Sequence, residues 1–327
     1  MNASPPSADS LRAALAGLLD GLPPRQAAQA VERLIANYRG TTPTDTPVLR
    51  DRSDVAAYAA YRMPATFEAV RGALGALRDA APEWEPVTHT DVGGGTGAAS
   101  WAVAEAWEEA PPRTTVLDWA EPALALGREL ADGAFDAEWR RERIGTALKL
   151  ADADLVTVSY VLKELTAADR TALVTEAARV AKAVVIVEPG TPDGYERIIA
   201  ARTLLIDAGF TVAAPCPHSG ACPIVPGTDW CHFSARVSRS SLHRQVKGGS
   251  LPYEDEKYSY VAAVRFPATP TVSRVTRRPQ IRKGQVLLDL CGPDGLARET
   301  VTKRHGPLYK QARDTEWGDP WPPEQAD

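Results

Sequence analysis

The chain has four cysteines in 327 residues, and three of them crowd one segment rich in Pro and Gly, "CPHSGACPIVPGTDWCHF". These are Cys216, Cys222 and Cys231, and the fourth, Cys291, follows in "LLDLCGPDG". The spacing is C-x5-C-x8-C-x59-C. Four thiolates can close a zinc site or hold an iron–sulfur cluster. Zinc knuckles favour close C-x-x-C-type pairs, where a tight turn sets both sulfurs on one ion. The longer gaps here suit loops that wrap a larger cubane, stiffened by Pro217, Pro223 and Pro226. His218 and His232 keep zinc open as the alternative. Unliganded core cysteine is the ordinary reading of a buried thiol. It suits three cysteines in a polar loop poorly.

A second candidate site is "DVGGGTG", Asp91 to Gly97. An acid ends a strand, and Gly93, Gly95 and Gly97 let the backbone pass close to a ligand. The turn opens a helix, whose first N–H groups point at whatever binds there. Asp118 ends the next strand, about 20 residues further on, where an acid meets ribose hydroxyls in nucleotide-binding α/β folds. The alternating glycines resemble the D-x-G-x-G-x-G motif of class I methyltransferases rather than the dinucleotide G-x-G-x-x-G. S-adenosylmethionine has no pyrophosphate, and a carboxylate such as Asp91 suits a network around its ammonium group.

Catalytic residues are less visible. The acceptor position of this fold lies at the end of the fourth strand, here "SYVLKEL". It lacks the N/D-P-P-Y/F/W motif of base-amino methyltransferases. No cysteine precedes Pro215 to act as a cytosine-C5 nucleophile. Tyr160, Lys163 and Glu164 are the polar candidates, though such residues more often satisfy helix ends or face solvent.

The elements around these sites follow from periodicity. Residues 10–39 read as two helices broken at "GLPPRQ". Residues 54–79 read as a third, which Pro64 should kink or split. From Thr88 strands and helices alternate: "TTVLDWA", "ADLVTVSYVL", "KAVVIVEPG" and "FTVAAP" are strands, with helices between them. This predicts a doubly wound α/β domain with a buried parallel sheet over residues 85–215. Residues 1–84 form a helical preamble. Residues 216–318 form a small, basic, β-rich module. Its "CHFSARVSRSSLHRQVKGG" is expected to be a basic helix, and residues 319–327 a disordered tail.

Composition is that of a globular protein, 44% hydrophobic and 24% charged. The net charge of −5 argues against a general nucleic-acid binder, and no DNA partner is expected. Charge is uneven: residues 211–320 hold 16 Lys+Arg against 10 Asp+Glu, and the rest 21 against 32. A basic third on an acidic chain suggests a local anionic contact. The N-terminus lacks the features of a signal or transit peptide, and no stretch reaches a membrane span. The expectation is a cytoplasmic protein with no membrane partner.

"YAAYRMPATFEAV", "SYVLKEL", "VEPGTPDGYERIIAAR", "APCPHSGACPI" and "DWCHFSARVSRSSLHRQVKGGSLPYEDEKYSYVA" together resemble the methyltransferase-like family of small-ribosomal-subunit proteins. The resemblance runs from about Arg50 to Gly318. It implies a class I (Rossmann-like) methyltransferase fold, S-adenosyl-L-methionine at Asp91, Gly93, Gly95 and Gly97, and a 4Fe–4S cluster on Cys216, Cys222, Cys231 and Cys291. It further implies a role in small-subunit assembly and translation, in contact with small-subunit rRNA, as an rRNA methyltransferase or as a non-catalytic scaffold. An iron- or redox-sensing role is a third possibility, because Cys291 lies far from its partners.

For the rRNA contact the candidates are Arg236, Arg239, Arg244 and Lys247, at near-helical spacing, then Arg277 and Arg278, with Arg274, Arg282 and Lys283 beside them. Phosphate contacts of this kind weaken steeply with salt. Tyr253, Tyr258 and Tyr260 could stack on bases, although in a strand they more often pack. The acidic "EDE" at 254–256 argues against a uniform RNA face.

Overall fold

A computed structural model describes residues 6–19, 29, 31, 52–225, 227–240 and 251–323. Helices α1 (Ala8–Leu19) and α2 (Arg52–Ala80) precede the sheet, and the second helix predicted before residue 40 lies largely outside the described residues. Pro64 sits inside α2 without dividing it. Met63 and Ala65, on either side, are buried in the core. That packing holds the turn where proline removes a helical hydrogen bond.

The α/β domain then runs β1 (Thr88–Val92), α3 (Ala98–Ala106), β2 (Arg113–Asp118), α4 (Glu121–Ala131), β3 (Ala137–Arg141), β4 (Ala153–Ser159), α5 (Ala167–Val180), β5 (Ala181–Pro189), α6 (Pro192–Asp207) and β6 (Thr211–Ala214). Two further strands, β7 (Phe233–Ser238) and β8 (Tyr253–Val264), follow the cysteine segment. The sheet order is β3-β2-β1-β4-β5-β8-β6, with β7 paired to β8. Strands β1 to β5 are parallel, and β8 inserts antiparallel between β5 and β6. This is the expected class I methyltransferase fold. Strands β4 and β5 are apolar because both faces are covered, as in a sheet wound on two sides by helices. Thr166 and Thr191 cap α5 and α6 by accepting from Asp169 N and Gly194 N.

The module expected from residue 216 divides differently. Strands β7 and β8 belong to the large sheet, where Phe233, Val237, Tyr258 and Tyr260 are buried. The division between sheets therefore falls after Val264 rather than at 215. The basic helix expected from Cys231 begins as β7. Phe233, Ala235 and Val237 alternate toward the core, a period of two that overrides the near-helical spacing of the arginines. Residues 241–250 of that expected helix, with Arg244 and Lys247, lie outside the described residues.

The smaller sheet comprises β9 (Ser273–Val275), β10 (Gln280–Arg282), β11 (Gln285–Gly292), β12 (Gly295–Thr302) and β13 (Pro320–Trp321), with α7 (Pro307–Asp314) beside it. Its core is Val275, Val286, Leu288, Leu290, Val301, Ala312 and Trp321. The tail expected to be disordered from 319 thus supplies a strand. Trp321 is 2% exposed, and its indole N–H donates to Glu299. One large apolar ring outweighed the surrounding prolines.

Candidate functional site

The glycine turn joins β1 to α3 at the carboxyl edge of the sheet, where ligands bind in open α/β folds. Gly93, Gly95 and Gly97 all have positive φ. Their surroundings differ. A Cβ at Gly97 would meet the Trp139 ring at 2.6 Å, and one at Gly93 would meet Val161 at 2.6 Å. At Gly95 the nearest atom would be Asp118 Oδ2 at 3.8 Å. Gly93 and Gly97 are therefore packing positions, and Gly95 alone borders open space.

Asp118 stands beside that space. Its carboxylate accepts from Gly95 N at 2.9 Å and Ala120 N at 2.8 Å. Burial raises its pKa against those hydrogen bonds. Exposed Trp119 follows, with the Arg141 guanidinium 4.6 Å from its ring centroid.

Asp91 lies beneath the turn and is fully buried. Its carboxylate accepts from Ser100 Oγ at 2.8 Å and Thr157 Oγ1 at 2.9 Å. Burial raises its pKa to about 6 against those two donors. Thr157 Oγ1 is also 2.8 Å from His89 Nε2, and His89 Nδ1 is 3.1 Å from Thr114 Oγ1. Thr157 has one proton and gives it to Asp91, so His89 must donate from Nε2; its Nδ1 then takes the Thr114 proton, for which the Pro112 carbonyl at 3.3 Å competes. Burial drives the His89 pKa down to about 3, so the ring is neutral. A polar chain from Thr114 through His89 and Thr157 thus props the acid that supports the turn. His89, Ser100, Thr114 and Thr157 carry no motif. A histidine inside a short buried strand was the available signal.

At the end of β4, Tyr160 has φ +59°, an uncommon conformation for a bulky residue. Its hydroxyl donates to Glu256 at 3.0 Å, and Arg62 stacks 4.7 Å above its ring while pairing with the same carboxylate. Lys163 and Glu164 are exposed on the following turn.

The four cysteines border one cavity. Cys216 follows β6, Cys222 lies in the loop, Cys231 precedes β7, and Cys291 is on β11 of the other sheet. All four are half-buried free thiols lining one cavity, with Tyr195, Arg202, Ser259 and Arg274. Tyr195 and Arg202 come from one face of α6. The Tyr195 hydroxyl is 3.2 Å from Cys222 Sγ, and Ser259 Oγ donates to the Cys231 carbonyl at 2.7 Å. Burial pushes the Cys216 and Cys231 thiols up and takes Cys291 to about 12. The sulfurs are not drawn onto one point: among the described residues no three His, Cys, Asp or Glu form a group able to hold a metal ion. The donor set still fits a group that thiolates bind. It is all sulfur, it shares one cavity, and that cavity also holds buried cations. His232 stacks on Trp230 and meets Trp317 edge-on instead of joining the sulfurs.

Residues 52–322 match the family described as mitochondrial small ribosomal subunit Rsm22. The chain belongs to the Rsm22 family. A human relative, the mitochondrial ribosome assembly protein METTL17, is 30% identical over 288 residues, which is 80% of this chain and 61% of METTL17. The mitochondrial Rsm22-cox11 tandem proteins of Schizosaccharomyces pombe are 30% identical over 182 residues, 42% of this chain and 24% of theirs. The chain thus spans less than two thirds of the length of these relatives. Solved structures superpose loosely. The magnesium protoporphyrin IX methyltransferase of Synechocystis gives a TM-score of 0.41 at 15% identity, over 65% of this chain and 84% of that one. A SAM-dependent methyltransferase of Aquifex aeolicus gives 0.40 at 16%, over 66% and 100%.

Several basic candidates of this Rsm22-family chain are already paired. Arg236 pairs with Asp255 and Arg239 with Glu254, so the "EDE" strand answers the basic one. Arg277 binds the Asp229 carboxylate and the Trp230 carbonyl. Arg274 is buried. Tyr258 and Tyr260 pack in the core, and Tyr253 lies under Arg236. Arg278, Arg282 and Lys283 are exposed on the small sheet. Lys303 N donates to the Gly284 carbonyl, which sets exposed Lys303 and Arg304 next to them. No helix among the described residues is long and apolar enough to cross a membrane.

Proposed function

We propose that the protein is an assembly factor of the small ribosomal subunit. In this reading its α/β domain binds S-adenosylmethionine and its two sheets are clamped by a 4Fe–4S cluster. The carrying observation is the convergence of Cys216, Cys222, Cys231 and Cys291 on one cavity, with Cys291 contributed by the second sheet. Thiolates from both sheets around one cluster would make metal binding part of the folding energy. The cluster would supply a cross-link whose strength depends on iron and oxidation state. At the other centre, the cofactor would lie over Gly95, with Asp118 toward its ribose and Asp91 acting through the turn it holds. The exposed face of Arg278, Arg282, Lys283, Lys303 and Arg304 suits an RNA backbone better than the paired arginines of β7 do.

A second reading, that the methyltransferase fold is a scaffold, is favoured by Tyr160. It follows the end of β4, where this fold meets its acceptor, and it is tied to Glu256 and Arg62. Anaerobic purification with iron, sulfide and zinc analysis tests the cluster, and co-sedimentation with small subunits tests the partner. A colourless protein carrying one zinc rejects the cluster. Absence of co-sedimentation at low salt rejects the ribosomal role. Unchanged rRNA methylation in a deletion strain whose subunit assembly fails selects the scaffold.

A further inference from the structure

Two arginines are enclosed with the cysteines. Arg202, on α6, is 4% exposed, and Arg274, on β9, is 5% exposed. Arg202 donates from Nη2 to the carbonyls of His218 at 2.9 Å and Gly220 at 2.7 Å, both between Cys216 and Cys222. Its buried Nε has no partner. Arg274 is the strand neighbour of Cys291. It donates from Nε to the Pro215 carbonyl at 3.1 Å and from Nη1 to Gly318 at 2.9 Å. Among the described residues neither arginine makes an ion pair, and no carboxylate lines the cavity.

Buried guanidiniums without an anion are costly, because carbonyl dipoles replace only part of the lost hydration. Half-buried Arg62, Arg197, Arg239 and Arg277 each face a carboxylate, Glu256, Glu188, Glu254 and Asp229 in turn. Among the described residues that line the cavity, the four sulfurs are the candidate anions. Neutral thiols leave two positive charges uncompensated. A dicationic metal core ringed by four thiolates is doubly negative, which two guanidiniums neutralise one for one.

We propose that Arg202 and Arg274 are the counter-charges of the thiolate-bound metal centre, holding it in the oxidation state and charge that the cavity accepts. The proposal rests on the metal reading given above. The two arginines reach the centre from different elements: α6 of the large sheet's layer and β9 of the small sheet. Each also fastens the backbone beside a ligand, Arg202 inside the Cys216–Cys222 loop and Arg274 at Pro215. Charge and position are therefore set together.

The test compares full-length wild type, Arg202→Gln, Arg274→Gln and Arg202→Lys, all purified anaerobically. Glutamine keeps a donor for the carbonyls and removes the charge, and lysine keeps the charge. With a cluster bound, reduction adds a negative charge, so losing one cation should disfavour the reduced state about tenfold. That lowers the midpoint potential by about 59 mV for one electron. Arg202→Lys should stay near wild type. A midpoint unchanged in both glutamine variants overturns the proposal while the cluster reading stands. So does a fall of the same size in the lysine variant, which would mark a structural role. If wild type binds one zinc and no iron, the cluster reading fails, and the counter-charge role is read from zinc affinity. About tenfold weaker zinc binding in each glutamine variant supports the role, and equal affinity overturns it. A wild-type protein that takes up neither metal defeats both readings.

Discussion

Replacing Asp91 with Asn should change how stability depends on pH in a way that isolates one buried carboxyl group. Asp91 is fully buried, and its pKa stands at about 6 against an ordinary 3.8. Its causes oppose each other: burial raises the value, and the hydroxyls of Ser100 and Thr157 lower it. The raised value means the folded chain holds this proton more tightly than the unfolded chain. Its contribution is therefore complete below about pH 4 and is lost as pH rises through about 6. At 1.36 kcal/mol per tenfold in proton affinity, the gap is worth ~3 kcal/mol. Asparagine does not titrate. Its own cost, one donor facing an amide N–H, is the same at every pH. The measurement is urea unfolding of both proteins, without ligand, from pH 4 to pH 7. Wild type should lose roughly 2 kcal/mol of that gap relative to Asp91→Asn over this interval, because the unfolded carboxyl is already partly ionised at pH 4. A difference constant with pH would mean that the Asp91 carboxyl pKa is not raised by burial in the folded chain.

Other perturbations have clear directions. Thr157→Val keeps shape but strands a His89 N–H and removes a donor to Asp91, so thermal or urea unfolding should show a loss of about 2–4 kcal/mol. Gly95→Arg should abolish S-adenosylmethionine binding in calorimetry with only about 1 kcal/mol lost to its positive φ, since its Cβ has room; binding equal to wild type would show that this turn is not the site. Trp321→Ala should destabilise the small sheet by about 3–5 kcal/mol, seen as an earlier unfolding step, whereas a tail without structure would tolerate it. Charge reversal at Arg278, Lys283 and Arg304 should weaken binding to an rRNA fragment and flatten its salt dependence in fluorescence anisotropy, while Arg236→Gln should change neither much.

The large sheet was readable because each buried strand is a continuous apolar run between glycine turns and helices of period 3.6. Strand β3 was not. Its "AEWRR" lies at the sheet edge, where one face is wet and the pattern is weak. The positive residues misled for a related reason. Arginines at near-helical spacing suggested a helix, yet the acids opposite them in β8 turn that spacing into cross-strand pairs. At the cysteine cavity the sulfurs could be found by composition alone, since cysteine is scarce here. Arg202 could not. It lies seven residues after Tyr195 on one face of α6, and only the fold reveals that this face closes a cavity rather than meeting solvent.

Strand β8 lies between β5 and β6 but is made after both. A chain emerging during synthesis therefore leaves the facing edges of β5 and β6 unpaired until Val264 has been added. The cysteine loop is threaded through that interval, between β6 and β7, and three of its thiols exist well before Cys291 is polymerised. Closing the sheet and completing the sulfur quartet are thus separate events in time, ordered by translation.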